Sequence, residues 1–251
     1  MTAEHQGRVA LVTGGGRGFG KAFGHALAAE GAVAVLADID AEAAASAAAE
    51  IVAAGGKAIG MACDVADEVA VASAVAGIVE QFGGIDILIN NAGLHSAAYS
   101  RPIETMGLAT VRRLFDVNVM GIVACSLAAK PVMAGRTNAS MINISSSAAY
   151  SGGTAYGVSK LAVQGLTMCL AREFAPAGIR VNGIAPGLIF TDTIRAEISP
   201  KSVEGVMRQQ ILPREGEERD IVEAMLYLVS DRASFVTGET LRVTGGYALS
   251  V

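Results

Sequence analysis

The sequence predicts an α/β fold: a single doubly wound parallel sheet of about seven strands with helices on both faces. Short apolar runs recur along the chain with little alternation of apolar and polar positions, as in strands covered on both sides. Ala-rich stretches long enough for crossover helices separate them. No Pro/Gly/Ser-rich linker and no fixed-period repeat divides the 251 residues, so positions 1–251 read as one domain.

The predicted strands are Val9 to Thr13, Val33 to Ala37, Ala58 to Cys63, Ile85 to Ile89, Ser140 to Ser145, Ile179 to Ile184 and Thr240 to Val243. The first six are dense in apolar or β-branched residues and are expected to be buried on both faces. Between them, Phe19 to Glu30, Ala41 to Ala54, Asp67 to Phe82, Met106 to Lys130, Ala155 to Ala175 and Glu217 to Ser230 have helix length. Asp40 and Asp67 stand where N-caps belong, and Gly31 and Gly55-Gly56 stand behind helix ends.

With 52% apolar and 17% charged residues, the chain is no candidate for disorder. Its net charge of −5, with no basic cluster beyond Arg112-Arg113, leaves no footprint for nucleic acid or an anionic membrane surface. The longest apolar runs, Val69 to Val79 and Val117 to Ala129, fall short of the ~18 residues of a bilayer span, so no membrane segment is expected. Met1 to Gln6 lacks the basic and apolar regions of a secretory signal, and a cytoplasmic protein is expected. Cys63, Cys125 and Cys169 are an odd count without C-x-x-C spacing, which predicts reduced, buried thiols. His5, His25 and His95 are too scattered to suggest a metal site.

Val9 to Gly20 reads as strand, Gly-rich turn and helix start, with Gly14, Gly18 and Gly20 spaced G-x-x-x-G-x-G. Backbone without Cβ lets a pyrophosphate approach the helix N–H groups and the positive end of the helix dipole. Gly15 to Lys21 also matches the start of a nucleotide-triphosphatase loop, but Ala22 lacks the hydroxyl that such a loop offers to Mg²⁺. Asp38, 18 residues after Gly20, can accept both ribose hydroxyls of an adenosine and repels a 2′-phosphate, which favours NAD over NADP. Arg17 beside the loop pulls the other way, toward a 2′-phosphate.

Tyr156 and Lys160 lie four apart at the start of a predicted helix, on one face. A phenol is a poor base at neutral pH, and a neighbouring ammonium is expected to lower its pKa. Just upstream, Met141 to Ser147 is a strand running into serines at the carboxyl end of the sheet, where a parallel sheet meets its ligand. A hydroxyl there can hold a carbonyl oxygen while the phenol moves a proton.

At this point the chain resembles the classical short-chain dehydrogenases/reductases nearly end to end. The resemblance rests on Thr13-Gly14-x-x-x-Gly18-x-Gly20, Asp64-Val65, Asn90-Asn91-Ala92-Gly93, Asn118, Ser146, Tyr156-x-x-x-Lys160, Asn182, Pro186-Gly187 and Thr191. It implies a Rossmann-like fold with Tyr156 as general acid/base, Lys160 lowering its pKa and holding the nicotinamide ribose, and Ser146 orienting the substrate oxygen. Asn118 would hold a water that relays protons from Lys160. Cofactor contacts would come from Gly14, Arg17, Gly18, Phe19 and Gly20, from Asp38 and Ile39, from Asp64 and Val65 against the adenine, and from Asn91, Ala92 and Gly93. Pro186, Gly187, Ile189 and Thr191 would complete the nicotinamide side.

The stretch from Ser146 to Tyr156 is a few residues shorter than is commonest in that family, so Ser145 and Ser147 stay open as alternatives. By the same analogy the substrate pocket draws on 94–100, 147–154 and 188–207, which offer Leu94, Tyr99, Tyr150, Leu188, Phe190 and Ile194 and no paired arginines. The expected substrate is a small apolar secondary alcohol or ketone, with the short loop opening the pocket toward cyclic ones. His95 reads as a surface loop residue. A homotetramer is expected from the resemblance and the apolar excess. The rivals are an NADP-dependent 3-oxoacyl-type carbonyl reductase and a dinucleotide-binding redox sensor without catalysis.

Overall fold

The computed structural model describes residues 4–95, 97–151, 153–190 and 200–249. Seven strands form one all-parallel sheet: β1 (Val9–Thr13), β2 (Val33–Asp38), β3 (Lys57–Ala62), β4 (Ile87–Asn90), β5 (Ser140–Ile144), β6 (Arg180–Pro186) and β7 (Thr240–Val243), in the order β3-β2-β1-β4-β5-β6-β7. The chain winds outward from β1 to β3, then returns to β4 on the other side of β1. That reversal opens a crevice at the carboxyl ends of β1 and β4, the usual ligand position in a doubly wound sheet.

The apolar runs divide by side-chain parity. Val9, Leu11, Val35, Leu88, Met141 and Val181 face one core; Ala10, Val12, Leu36, Ile89, Ile142 and Ile184 face the other. Helices α1 (Gly18–Ala29) and α2 (Ala41–Ala53) cover the second face. Helix α3 (Glu68–Phe82) covers the first. Asp40 caps α2 by accepting from the Ala43 N–H at 3.1 Å, and Asp67 caps α3 by accepting from Val69 and Ala70. Strand β3 departs from the expectation of burial on both faces: it is an edge, with Lys57 and Ala62 exposed and the residues between them half-buried.

The single helix expected over Met106 to Lys130 is built in pieces: α4 (Ile103–Met106), α5 (Leu108–Phe115), a π-helical turn at Asp116–Met120, and α6 (Gly121–Met133). Leu108–Met133 is nevertheless a continuous helical run, long and apolar enough by length and composition to cross a membrane. The apolar stretch Val117 to Ala129 is shorter than this run, which also takes in the helical residues on either side of it. In this fold Ile122, Cys125, Ala129 and Met133 of the run are buried against α3 and the sheet.

Helices α7 (Ala148–Ser151) and α9 (Pro200–Gln209) had no counterpart in the reading, while α8 (Ala155–Phe174) and α10 (Glu218–Val229) did. One turn of helix, as in α7, is too short to show a 3.6-residue period. Cys63 and Cys125 are buried as expected, but Cys169 is exposed: it falls on the outer face of α8, where its thiol contacts Glu173.

Candidate active site

The Gly-rich loop leaves β1 and enters α1 under tight steric control. A Cβ on Gly14 would stand 2.9 Å from Ala92 Cα, and one on Gly20 would collide with the Gly14 carbonyl. Thr13 and Asn91 brace this turn from below. The Thr13 hydroxyl accepts from the Asn91 and Ala92 backbone N–H groups at 3.1 Å, and Asn91 Nδ2 donates to the Thr13 and Gly14 carbonyls.

No side chain caps the N-terminus of α1, and nothing lies within 4 Å of a Cβ built on Gly18. The first turn of α1 is thus left without a side-chain cap among the described residues, as a pyrophosphate site requires. Phe19, half-buried, leans on Phe23 with ring centroids 6.2 Å apart.

Asp38 ends β2 buried beside this loop. Its carboxylate accepts from the Gly16 N–H at 2.9 Å and the Asp40 N–H at 3.0 Å, so it latches the loop as well as offering its remaining lone pairs. Arg17 turns away to an exposed ion pair with Asp40, 2.7 Å long. The neighbouring Ile39 side chain is 67% exposed at the mouth of β2, an apolar surface available to a flat ring.

Asp64 accepts from the Ala66 N–H and pairs with Arg113 at 3.1 Å; these contacts hold its carboxyl below the usual range against the opposing effect of burial. The Val65 side chain, by contrast, is core, lying where a Cβ of Gly121 would go.

At the carboxyl end of β5 the three serines separate by partner. Ser145 is buried, its hydroxyl donating to the Lys160 carbonyl at 2.8 Å. The Ser147 backbone N–H donates to the Pro186 carbonyl. The Ser146 hydroxyl alone of the three meets the Tyr156 phenol, and it also accepts from the Ala148 N–H at 3.1 Å.

Thr154 caps α8 by accepting from the Gly157 N–H at 3.0 Å, which sets the first turn and with it Tyr156 and Lys160. Lys160 Nζ lies 5.9 Å from the Tyr156 ring centroid and donates to the Ile144 carbonyl at 2.8 Å. Burial pushes the ammonium down to about 8. Burial also pushes the Tyr156 phenol up, and the hydrogen bond from Ser146 pulls it partway back. The lowering expected from the neighbouring ammonium does not prevail in the folded chain, where desolvation is the largest effect on the phenol.

Asn118 occupies the π-helical turn, fully buried. Its Oδ1 accepts from the Leu94 N–H at 2.7 Å, and its Nδ2 donates to the Leu94 carbonyl and the Ser159 hydroxyl, both at 3.1 Å. The side chain is thus committed to the loop after β4 and to Ser159. A Cβ on Gly93 would sit 3.3 Å from Lys160 Nζ and 3.4 Å from Asn118 Oδ1, so this glycine is the place where the two approach.

Pro186 and Gly187 close the site from β6, with the Gly187 N–H donating to the Val243 carbonyl at 2.9 Å. Ile189 is buried in the core on the α1 side of the sheet, its backbone bridged to Gly216. Thr191 and Ile194 lie outside the described residues.

The sequence reading missed Ser159, which donates to the Tyr156 carbonyl at 2.7 Å while accepting from Asn118. It also missed a buried polar ladder beneath the site: Asn90 donates to Asn143 and Ser126, and Asn143 donates to Thr167. The available signal was an Asn inside each of two otherwise apolar strands, since a buried amide demands partners.

Residues 14–248 match the family model described as enoyl-(acyl carrier protein) reductase. A 3α-hydroxysteroid dehydrogenase of Mediterraneibacter gnavus is 39% identical over 173 residues, 67% of each chain. Among solved structures, a 7α-hydroxysteroid dehydrogenase complexed with NADH and 7-oxo glycochenodeoxycholic acid has a TM-score of 0.92 at 33% identity, covering 98% of this chain and 96% of that one. A blue fluorescent protein from a metagenomic library, in complex with NADPH, has a TM-score of 0.89 at 34% identity, covering 98% and 100%. With the family model spanning nearly the whole chain and the fold shared from end to end at this level of identity, the chain belongs to the classical short-chain dehydrogenase/reductase family of oxidoreductases.

Proposed function

We propose that the chain interconverts small apolar secondary alcohols, cyclic ones included, and their ketones with NAD(H). The observation that carries this reading is the grouping of Ser146, Tyr156 and Lys160 at the carboxyl end of β5, across the crevice from Asp38 and the uncapped α1. The dinucleotide supplies a carbon that accepts or gives hydride. Ser146 holds the substrate oxygen, and Tyr156 takes its proton in oxidation or returns it in reduction. Lys160, drawn down toward neutrality by its burial, takes part in passing that proton on, with the Asn118 turn beside it.

Two further features support the details. Asp38 favours an unphosphorylated ribose, and Arg17, tied to Asp40, is not directed at a 2′-phosphate. Tyr156 packs in an apolar cluster with Leu94, Tyr99, Val111 and the buried Met106, Leu114 and Ala155, which favours an apolar substrate flank. Two relatives are named as hydroxysteroid dehydrogenases, and a ring hydroxyl is a cyclic secondary alcohol. We further propose a homotetramer: Val158, Leu161 and Met168 form an exposed apolar stripe on α8, and Met120 and Leu127 form another on the π turn and α6.

The test is turnover of cyclohexanol, hydroxysteroids, acyclic 2-alkanols and, in reverse, a 3-oxoacyl thioester, each with NAD(H) and NADP(H). The reading expects alcohol oxidation with NAD, and Tyr156→Phe losing about 10²–10⁴ of it while binding NAD within about twofold. Turnover confined to the thioester with NADPH would replace this reading with the acyl-reductase one. NAD binding without turnover of any of these probes would favour a sensor.

A further inference from the structure

Between Ser146 and Tyr156 the chain makes one turn of helix, α7, and its position is bound to both residues. At its start the Ala148 N–H donates to the Ser146 hydroxyl at 3.1 Å and the Ala149 N–H to the Ser146 carbonyl at 3.1 Å. On its flank the Ala148 carbonyl lies 2.6 Å from where a Cβ of Gly157 would be, so α7 and the first turn of α8 are in direct backbone contact. Ser146 therefore cannot keep its hydroxyl toward Tyr156 if α7 moves.

One side chain reaches α7 from the far end of the sequence. Arg242 on β7 places its guanidinium carbon 5.0 Å from the Tyr150 ring centroid, a cation–π distance, while its Nη1 donates to the Ala248 carbonyl at 3.3 Å. Tyr150 and Arg242 are both half-buried, which shields the contact from water and strengthens it. Ala248 itself has a positive φ of 56°, so Arg242 also holds a turn that an alanine seldom adopts.

We propose that Arg242 is a positioning residue for the reaction: its guanidinium, stacked on Tyr150, sets α7 and through it the Ser146 hydroxyl. The proposal rests on the role given to Ser146 under Proposed function, and one arm of its test is independent of any substrate.

That arm is amide hydrogen exchange. Arg242→Met keeps the length of the stem and removes the cation; it is expected to speed exchange at Ala149 and Tyr150 about tenfold or more, with the strand β5 amides unchanged. Tyr150→Leu is expected to do the same, and Tyr150→Phe, which keeps a ring, to do neither. The second arm is steady-state oxidation of cyclohexanol with NAD. Arg242→Met and Tyr150→Leu should each lower kcat about tenfold with the KM for NAD within twofold, the double variant should be no worse than either alone, and Arg242→Lys should recover most of the loss.

Unchanged exchange in Arg242→Met, or additive losses in the double variant, would overturn the proposal. If the wild type turns over neither cyclohexanol nor the other alcohols, the substrate reading fails, and the exchange arm alone decides whether Arg242 holds α7.

Discussion

Lys160 shows stability and chemistry opposed in one side chain. Its ammonium is buried and donates to the Ile144 carbonyl, and its pKa falls from the ordinary 10.5 to about 8. Below about pH 8 the amine is charged in the folded and unfolded chains alike, and the folded chain carries the full desolvation cost, on the order of 3 kcal/mol. Between about 8 and 10.5 the unfolded chain binds a proton that the folded chain has released, so stability rises with pH through that window. Lys160→Met should therefore remove activity while leaving thermal stability at pH 7 equal to or above wild type. The gain is reduced by roughly 1–3 kcal/mol for the carbonyl left without a donor. Melting curves at pH 7, 9 and 10 check the sign: the wild type should gain on the variant as pH rises.

Asp38 is the second residue with two duties. Its two carboxylate oxygens latch Gly16 and Asp40 separately, and the same charge is proposed to oppose a 2′-phosphate; Asp38→Asn removes the charge and keeps one of the two acceptors. The expected outcome is at least about a tenfold rise in kcat/KM with NADP relative to NAD, read from kinetics with both cofactors. The sequence identified Asp38 because its type and spacing carry the chemistry. It could not identify Ser159 or the Arg17–Asp40 pair, which exist only through folded neighbours.

At the scale of elements, close packing of α2 on β2 and β3 depends on small residues on both sides. Helix α2 buries Ala44, Ala47, Ala48 and Ile51, and opposite them a Cβ on Gly60 would fall on the Ala44–Ala45 peptide. Gly60→Ala must push α2 off the sheet. Overpacking of this kind costs about 1–3 kcal/mol, or roughly 2–12 °C in Tm for a chain of this size, and a thermal melt measures it. An unchanged Tm would mean that α2 yields without cost.

Element existence was largely legible here, since strand parity, the Asp caps and the Ala-rich crossovers are local signals. The π-helical turn was not: Asp116-Val117-Asn118-Val119-Met120 continues an apolar helical pattern, and its Asn118 takes partners, Leu94 and Ser159, that lie far away in sequence.

At the scale of the molecule, the apolar excess has two destinations. Much of it fills the two cores on either side of the sheet. Part stays outside, on α8 and α6 and beside β7, where a cavity of about 860 Å³ is walled by Ile211, Leu212, Leu241 and Leu249, away from Tyr156. The proposed homotetramer would cover the α8 stripe. Light scattering should then give four times the 25.5 kDa chain mass, and Leu161→Glu with Met168→Glu should give a smaller species. A wild-type monomer at micromolar concentration would remove the proposal.

By itself the sequence determined the layered α/β class, the order of the strands and the long crossover helices between them, the Gly-rich loop with its acidic partner, and the Tyr156–Lys160 pair. All of these follow from residue type and spacing along the chain. Tertiary structure alone decided that β3 is an edge, that Ser146 rather than Ser145 or Ser147 meets Tyr156, that burial governs both the phenol and the ammonium, and that Arg242 stands over Tyr150. The reason is common to all four: burial and neighbour identity are set by segments distant in sequence, and desolvation leaves no mark in the order of residues.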